Sequence, residues 1–464
     1  MLKMNRRQML RAGTGALASM LARMPQLAAT ALEGSAASAE YRALVCVFLL
    51  GGNDSFNMVV PLSDAEYAEY SRARQDLALG RTELLPLQPL TRDLGGARYG
   101  LHPAMPELEA LFNKGEVCAV IANVGPLMQP TTKAAYLDGS ADLPPQLFSH
   151  VDQQNQWHCL HGTRVLNTGW AGRISDALTV PDFASNSDPA AAINVSLSGR
   201  TPFQSGSHTV PYTIGPTGPV KFTGLHGVST RSLTRRKAFE ALLEADHSTV
   251  YERAFAEMQQ RALVSAEKVS NALATVRPPN APPFKTGFPP SALGSQLRTV
   301  AEMIAIRHQL NVSRQIFFVA MAGFDTHDRQ REKHPALLAD LSRSLDAFYR
   351  ATVAMNISSQ VTTFTASEFG RTLTSNGDGT DHGWGGVQLV VGGAVRGRSI
   401  YGSYPVLQLK GEHDVGGGRI IPTLSSDQYA ITLARWFGVP DAQLVTIAPN
   451  IVNFGARDLG FMRL

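Results

Sequence analysis

Apolar residues along this chain fall into two patterns, short continuous runs and longer stretches at helical spacing, and the two alternate. Leu44-Val45-Cys46-Val47-Phe48-Leu49-Leu50 is a continuous run ending at Gly51-Gly52, as expected of a strand buried on both faces of a sheet. Val117 to Ala122, Gln315 to Met321 and Ser359 to Thr365 read the same way. Met105 to Asn113 and Pro335 to Met355 place apolar residues at helical spacing. Strand, turn, helix, strand predicts an α/β fold around a mostly parallel central sheet flanked by helices.

The middle of the chain breaks that rhythm. Residues 185–227 are rich in Gly, Ser, Thr and Pro with short β-like pieces, and Phe239 to Val276 reads as one long amphipathic helix that stops at Arg277-Pro278-Pro279. Residues 278–290 hold six prolines and read as a linker or surface loop. The segment of about 180–290 is therefore expected to form an insertion or cap on one main domain spanning residues 40–464.

Composition and charge narrow the class. With 464 residues, 44% hydrophobic and 17% charged, the chain can bury a large core. Its formal charge of +4 resides in the first 39 residues, where Lys3, Arg6, Arg7, Arg11 and Arg23 face Glu33 alone. A near-neutral body gives no electrostatic case for nucleic acid. That leader reads as a twin-arginine signal peptide: Asn5-Arg6-Arg7-Gln8-Met9-Leu10, a weakly apolar run to Leu21, and Ala37-Ser38-Ala39 before Glu40. Arg23 and Pro25 cut the run far short of the roughly 20 residues that span a bilayer. The expected partner is the twin-arginine export machinery, without a stable transmembrane anchor, and the expected location is periplasmic or secreted. Cys46, Cys118 and Cys159 are too few and scattered for a zinc ribbon or a disulfide framework, and Cys46 and Cys118 read as buried small hydrophobes.

Candidate chemistry gathers at strand ends. Gly51-Gly52-Asn53-Asp54-Ser55 follows the first run, Gly323-Phe324-Asp325-Thr326-His327 follows the third, and Ser367-Glu368-Phe369-Gly370-Arg371-Thr372 with Asp381-His382-Gly383 follows the fourth. In an open α/β sheet ligands collect beyond the carboxyl ends of the strands. If the strands are parallel neighbours, Asp54, Asp325, His327, Asp381 and His382 converge on one edge, and a divalent cation is the economical way to neutralise them.

These segments, with Leu101-His102-Pro103, Phe148-Ser149-His150, Gln330, His334, Asp427-Gln428-Tyr429 and Ala434-Arg435-Trp436-Phe437-Gly438, resemble the exported family called domain of unknown function 1501, which is similar in pattern to the alkaline phosphatase and sulfatase superfamily. The resemblance implies a three-layer fold and a metal-dependent hydrolase of phosphate or sulfate esters, with a divalent ion (Zn, Ca, Mg or Mn) held by Asp54, Asp325, His327, Asp381 and His382. It further implies Ser149 as a metal-activated nucleophile, with Ser55 as the alternative. Arg371 or His150 would hold an anionic substrate, whether small molecule or polymer ester. Ser149 also reads as a helix N-cap with Asp152 in the first turn. The competing class is a non-catalytic periplasmic binding or scaffold protein on the same fold. A redox role is disfavoured by the absence of a CxxC pair and of a dinucleotide glycine fingerprint.

Overall fold

The computed structural model describes residues 40–90, 97–163, 167–179, 192–219, 224–225, 227–277 and 287–464. The expected export signal therefore lies outside the described residues, as do parts of the 180–290 segment. Tyr41–Leu464 form one compact unit.

A single ten-stranded sheet organises this unit. In chain order its strands are β1 (Arg42–Leu50), β2 (Cys118–Gly125), β3 (Asn194–Ser196), β4 (Tyr212–Gly215) and β5 (Gly218–Pro219), followed by β6 (Arg314–Ala322) and β7 (Val361–Ala366). A separate hairpin, β8 (Arg371–Ser375) and β9 (Thr380–His382), comes next, and then β10 (Gly386–Gly392), β11 (Ser399–Tyr401) and β12 (Leu424–Ser425) return to the sheet. The order across it is β11-β2-β10-β7-β1-β6-β3-β4-β5, with β12 beside β2. β7, β1 and β6 are parallel neighbours at its centre. The run at Val117 to Ala122 is a strand as expected, but it is separated from that centre by β10, which is antiparallel to both β7 and β2.

Alternation along β1 explains why its run is continuous. Ala43, Val45, Val47 and Leu49 enter one apolar layer with Leu108, Leu297, Leu341 and Leu345, whereas Leu44, Cys46 and Phe48 enter the other with Trp157, Trp170, Ile174 and Trp436. Both faces of the strand are covered, so no position can be polar without losing hydration. The first layer includes the helices α1 (Asp64–Arg74) and α2 (Pro106–Asn113), the second α3 (His150–Cys159) and α4 (Trp170–Leu178). Cys46, Cys118 and Cys159 are all buried thiols.

Two helical expectations change in the structure. The stretch from Phe239 to Val276 is two helices, α5 (Thr230–Glu244) and α6 (Val250–Val276). The break is chemical: Thr249 accepts from the Glu252 backbone while the Glu252 carboxylate accepts from the Thr249 backbone, a reciprocal cap that starts a new helix. After α7 (Ala292–Ala305), α8 runs from Gln330 to Ala354, beginning five residues before Pro335. Its start is fixed by the Gln330 backbone, which donates to the Asp378 carbonyl, so Pro335 falls inside the helix. The last long helix is α9 (Ser426–Phe437). Residues 192–219 extend the sheet through β3 and β4, both parallel to their inner neighbours, while α5 lies outside the core with no buried residue. Among the described residues, no helix is long and apolar enough to cross a membrane.

Candidate metal centre at the carboxyl ends of the central strands

β1, β6 and β7 end together, and the loops that follow them touch. Gly51 has φ +116°, and a Cβ there would lie 2.2 Å from the Asp325 backbone nitrogen; no side chain is compatible with that approach. The motif after β7 doubles back as the β8–β9 hairpin, which pairs Arg371 with His382. Two segments that looked separate in sequence are thereby one structural unit. α3 brings Phe148, Ser149 and His150 to the same edge, because Ser149 caps that helix through the Asp152 backbone.

Three imidazoles surround the Asp325 carboxylate there. Asp325 Oδ1 lies 3.1 Å from His327 Nε2, 3.5 Å from His150 Nε2 and 3.6 Å from His382 Nε2. The Nε2 atoms of His327 and His382 are 2.9 Å apart. Each ring is oriented from its far side by an acceptor. His382 Nδ1 donates to the Phe148 carbonyl at 2.7 Å, His150 Nδ1 to Glu368 Oε1 at 3.0 Å, and His327 Nδ1 to Asp381 Oδ1 at 3.2 Å. A proton on each Nδ1 leaves the Nε2 lone pairs facing one another and a carboxylate, with Arg371 Nη1 3.4 Å from the Nε2 of His327. Lone pairs at such separations repel unless a proton or a cation stands between them. Phe369 stacks on His382 at 4.5 Å and closes one side of the group.

The electrostatics follow from these contacts. Glu368 is fully buried, and burial alone would raise its pKa; hydrogen bonds from His150, Gln154 and the Gly51 backbone outweigh that and lower it. For Asp325 the upward pull of burial is likewise outweighed, here by the hydrogen bond and charge of Arg371 with help from His150 and His327. His150 is raised, chiefly by its hydrogen bond to Glu368, and His382 is lowered, chiefly by desolvation.

Of the five residues expected to hold a metal, the structure brings Asp325, His327 and His382 together and adds His150, which sequence reasoning had assigned to substrate. The potential ligand atoms of His150, Asp325 and His382 all lie within 4.8 Å of one another. Asp381 stands behind His327 and orients it. Asp54 sits elsewhere: it is fully buried, paired with the equally buried Arg74, and accepts a second hydrogen bond from Gln330 on the same oxygen. A guanidinium already neutralises it. His334 is also occupied, through Nε2 to Asn53 Oδ1 at 3.0 Å.

Arg371 is not free to hold an anion. Nε donates to the Gly52 carbonyl, Nη1 to the Thr380 carbonyl and faces His327 Nε2 at 3.4 Å, and Nη2 donates to Gly51, Phe324 and Asp325. It is a buried clamp that ties three strand-end loops to the cluster. Ser55, the alternative nucleophile, is 1% exposed and accepts from the Val387 backbone at 2.8 Å. Ser149 is half-buried; its hydroxyl donates to Asp152 Oδ2 at 2.6 Å while also capping α3. Glu368, Arg74 and Gln330 are structurally committed residues that no spacing rule singled out for these partners.

The donor set fits a divalent metal. The imidazole nitrogens of His150 and His382 with the Asp325 carboxylate oxygen suit zinc and similar imidazole-binding ions better than calcium or magnesium, which prefer oxygen. The acceptors behind each ring are the orienting shell that metal-bound histidines normally have.

Comparison with known proteins places the chain in a family. Residues 41–416 match the family described as protein of unknown function (DUF1501), and the chain belongs to it. No curated protein matches the sequence. Among solved structures, the chain is similar to Ps i-CgsB in complex with k-i-k-neocarrahexaose, with 9% identity, a TM-score of 0.35, and 90% of this chain and 77% of that one covered. It is also similar to the phosphonate monoester hydrolase SpPMH from Silicibacter pomeroyi, with 7% identity, a TM-score of 0.35, and 86% and 74% covered.

Proposed function

We propose that this DUF1501 member is an exported, metal-dependent hydrolase of anionic esters of phosphate or sulfate, with the metal held by His150, Asp325, His327 and His382. The observation that carries the reading is the convergence of three Nε2 atoms on the Asp325 carboxylate, each ring with an oxygen acceptor at its Nδ1. When bound, the ion would supply Lewis acidity and lower the pKa of an oxygen nucleophile.

The chain's own residues supply the remainder. Phe148, Glu368 and Asp381 hold the three imidazoles in one tautomer, and Arg371 holds Asp325 against the strand ends. Ser149 is the nucleophile in this reading, and Asp152, in hydrogen-bond contact with its Oγ, is placed to take the proton. Phe369 shields one side of the cluster from water.

A second reading, a binding protein without turnover, is favoured by one observation. The Ser149 hydroxyl already serves as a helix cap.

One experiment addresses both readings. The purified full chain is analysed for bound metal and assayed against aryl phosphates, phosphodiesters and aryl sulfates beside His382→Ala and Ser149→Ala, with intact-mass analysis of quenched reactions. The hydrolase reading expects bound metal, turnover abolished by His382→Ala, and a substrate-derived adduct that Ser149→Ala removes. Absence of bound metal would refute it, and metal without turnover of any ester class would favour the binding protein.

A further inference from the structure

The candidate centre has a charge problem that its own ligands leave unsolved. Three carboxylates, Asp325, Glu368 and Asp381, contact the histidines, and among the described residues Arg371 is the guanidinium that pairs with them. With the imidazoles counted as neutral, that leaves two net negative charges, which a divalent ion would only cancel. An anionic ester approaching a merely neutral site gains little, so a further cation is required.

Arg419 meets that requirement. Its Nε donates to the His382 carbonyl at 3.2 Å and its Nη1 to the Gly416 carbonyl at 3.3 Å. Its guanidinium carbon lies 4.8 Å from the centroid of Phe148, the residue whose carbonyl orients His382. Two carbonyls and an aromatic face therefore pin the plane of the group. Both carbonyls are uncharged, and among the described residues no carboxylate pairs with Arg419 and no acceptor meets its Nη2. This is unlike Arg74 and Arg371, whose charges are matched.

The loop beneath it is built rather than loose. Asp414, buried, accepts from the backbones of Lys410, Gly416 and Gly418. Gly418, at φ +78°, packs so closely on Leu373 that a Cβ would lie 2.6 Å from the Leu373 nitrogen. A half-buried, immobilised and unpaired guanidinium has already lost much of the rotamer freedom that binding would otherwise remove, and its planar donors suit an oxyanion.

We infer that Arg419, supported on Phe148, is the anion-recognition group of this centre and that its ligand class is a tetrahedral oxyanion, phosphate or sulfate. The inference rests on the reading of the cluster as a metal-dependent ester hydrolase. It assigns to Arg419 the role that sequence reasoning gave to Arg371 or His150.

The test is calorimetric titration of the zinc-supplemented full chain with inorganic phosphate and, separately, inorganic sulfate, for wild type, Arg419→Met, Arg419→Lys and Phe148→Leu. Metal content and thermal unfolding are recorded for each variant. The expected result is that wild type binds one or both anions and that Arg419→Met weakens this at least tenfold with wild-type metal content. Arg419→Lys and Phe148→Leu should give intermediate losses, and they keep the test decisive if the methionine variant misfolds. The anion with the larger loss identifies the preferred ester. Undiminished affinity in a folded Arg419→Met protein, or no anion binding by wild type, would overturn the inference. Wild type without metal that still binds anion through Arg419 would defeat the metal reading and leave this one standing.

Discussion

Asp54 and Arg74 form an ion pair in which neither side chain has any exposure to solvent. Arg74 also donates to the carbonyls of Thr372 and Leu373, so the pair ties the end of α1 to β8 beside the candidate centre. The sequence places Asp54 among the metal ligands. The fold instead gives it a protein cation, and two consequences concern stability and stoichiometry.

Removing one partner strands the other charge in a dry interior. Arg74→Met is expected to cost about 3–5 kcal/mol in urea unfolding, as buried pairs do when broken. Asp54→Asn with Arg74→Met should cost clearly less than the sum of the single changes. Additive costs in that double-mutant cycle would show that the pair is not coupled. Because Asp54 is already neutralised, metal analysis should return one ion per chain.

The roles of the residues around the histidines can be separated by metal affinity. His382→Ala and Asp325→Ala remove donors and should abolish binding in a competition titration. Asp381→Asn and Glu368→Gln leave the donors in place and loosen their orientation, so affinity should fall by roughly 10–100-fold. Loss at Asp381→Asn as complete as at His382→Ala would make Asp381 a ligand after all.

Gly51→Ala should act at a distance from every imidazole. The new Cβ would collide with the Asp325 backbone, and the φ of +116° is strained for any L side chain. The cluster should lose metal affinity while the sheet survives, measured by metal titration alongside circular dichroism. Unchanged affinity would mean that the loop after β6 can yield without moving Asp325.

Three buried histidines contribute to the acid limb of stability. Burial lowers His102 to about 4, His158 to about 4 and His334 to about 3. An unfolded histidine titrates near 6.5, so as pH falls the unfolded chain takes up protons that the folded chain does not. The stability from keeping these rings neutral is therefore complete above about 6.5 and is lost progressively towards pH 4 and 3. Melting temperature in chelator-treated protein should be level above pH 7 and decline below 6.5, with a shallower decline in His158→Gln. An unaltered slope in that variant would exclude His158 as a contributor.

The difference between what could be read in advance and what could not has a consistent cause. The runs at Leu44–Leu50, Gln315–Met321 and Ser359–Thr365 became the three parallel central strands because strand burial is written in local apolar density, which a window of seven residues contains. The break at Thr249 was also present locally, as a threonine followed three residues later by Glu252, but the apolar spacing on either side concealed it. Asp325, His327 and His382 were recoverable because each follows a strand or lies in the adjoining hairpin.

The sequence by itself determined the α/β layering, the edge on which polar residues gather, and most of the chemical types present there. Only the tertiary structure decided which of those residues are available. Asp54 and Arg371 carry the right chemistry, but partners distant in the chain neutralise or occupy them: Arg74 for the first, the Gly51, Phe324 and Thr380 carbonyls for the second. His150 takes its place through Glu368, 218 residues away, and Arg419 through the carbonyls of His382 and Gly416; a carbonyl leaves no mark in the residue alphabet. A charge's function depends on what is left after its nearest neighbours have paired with it, and those neighbours are chosen by the packing of the whole sheet.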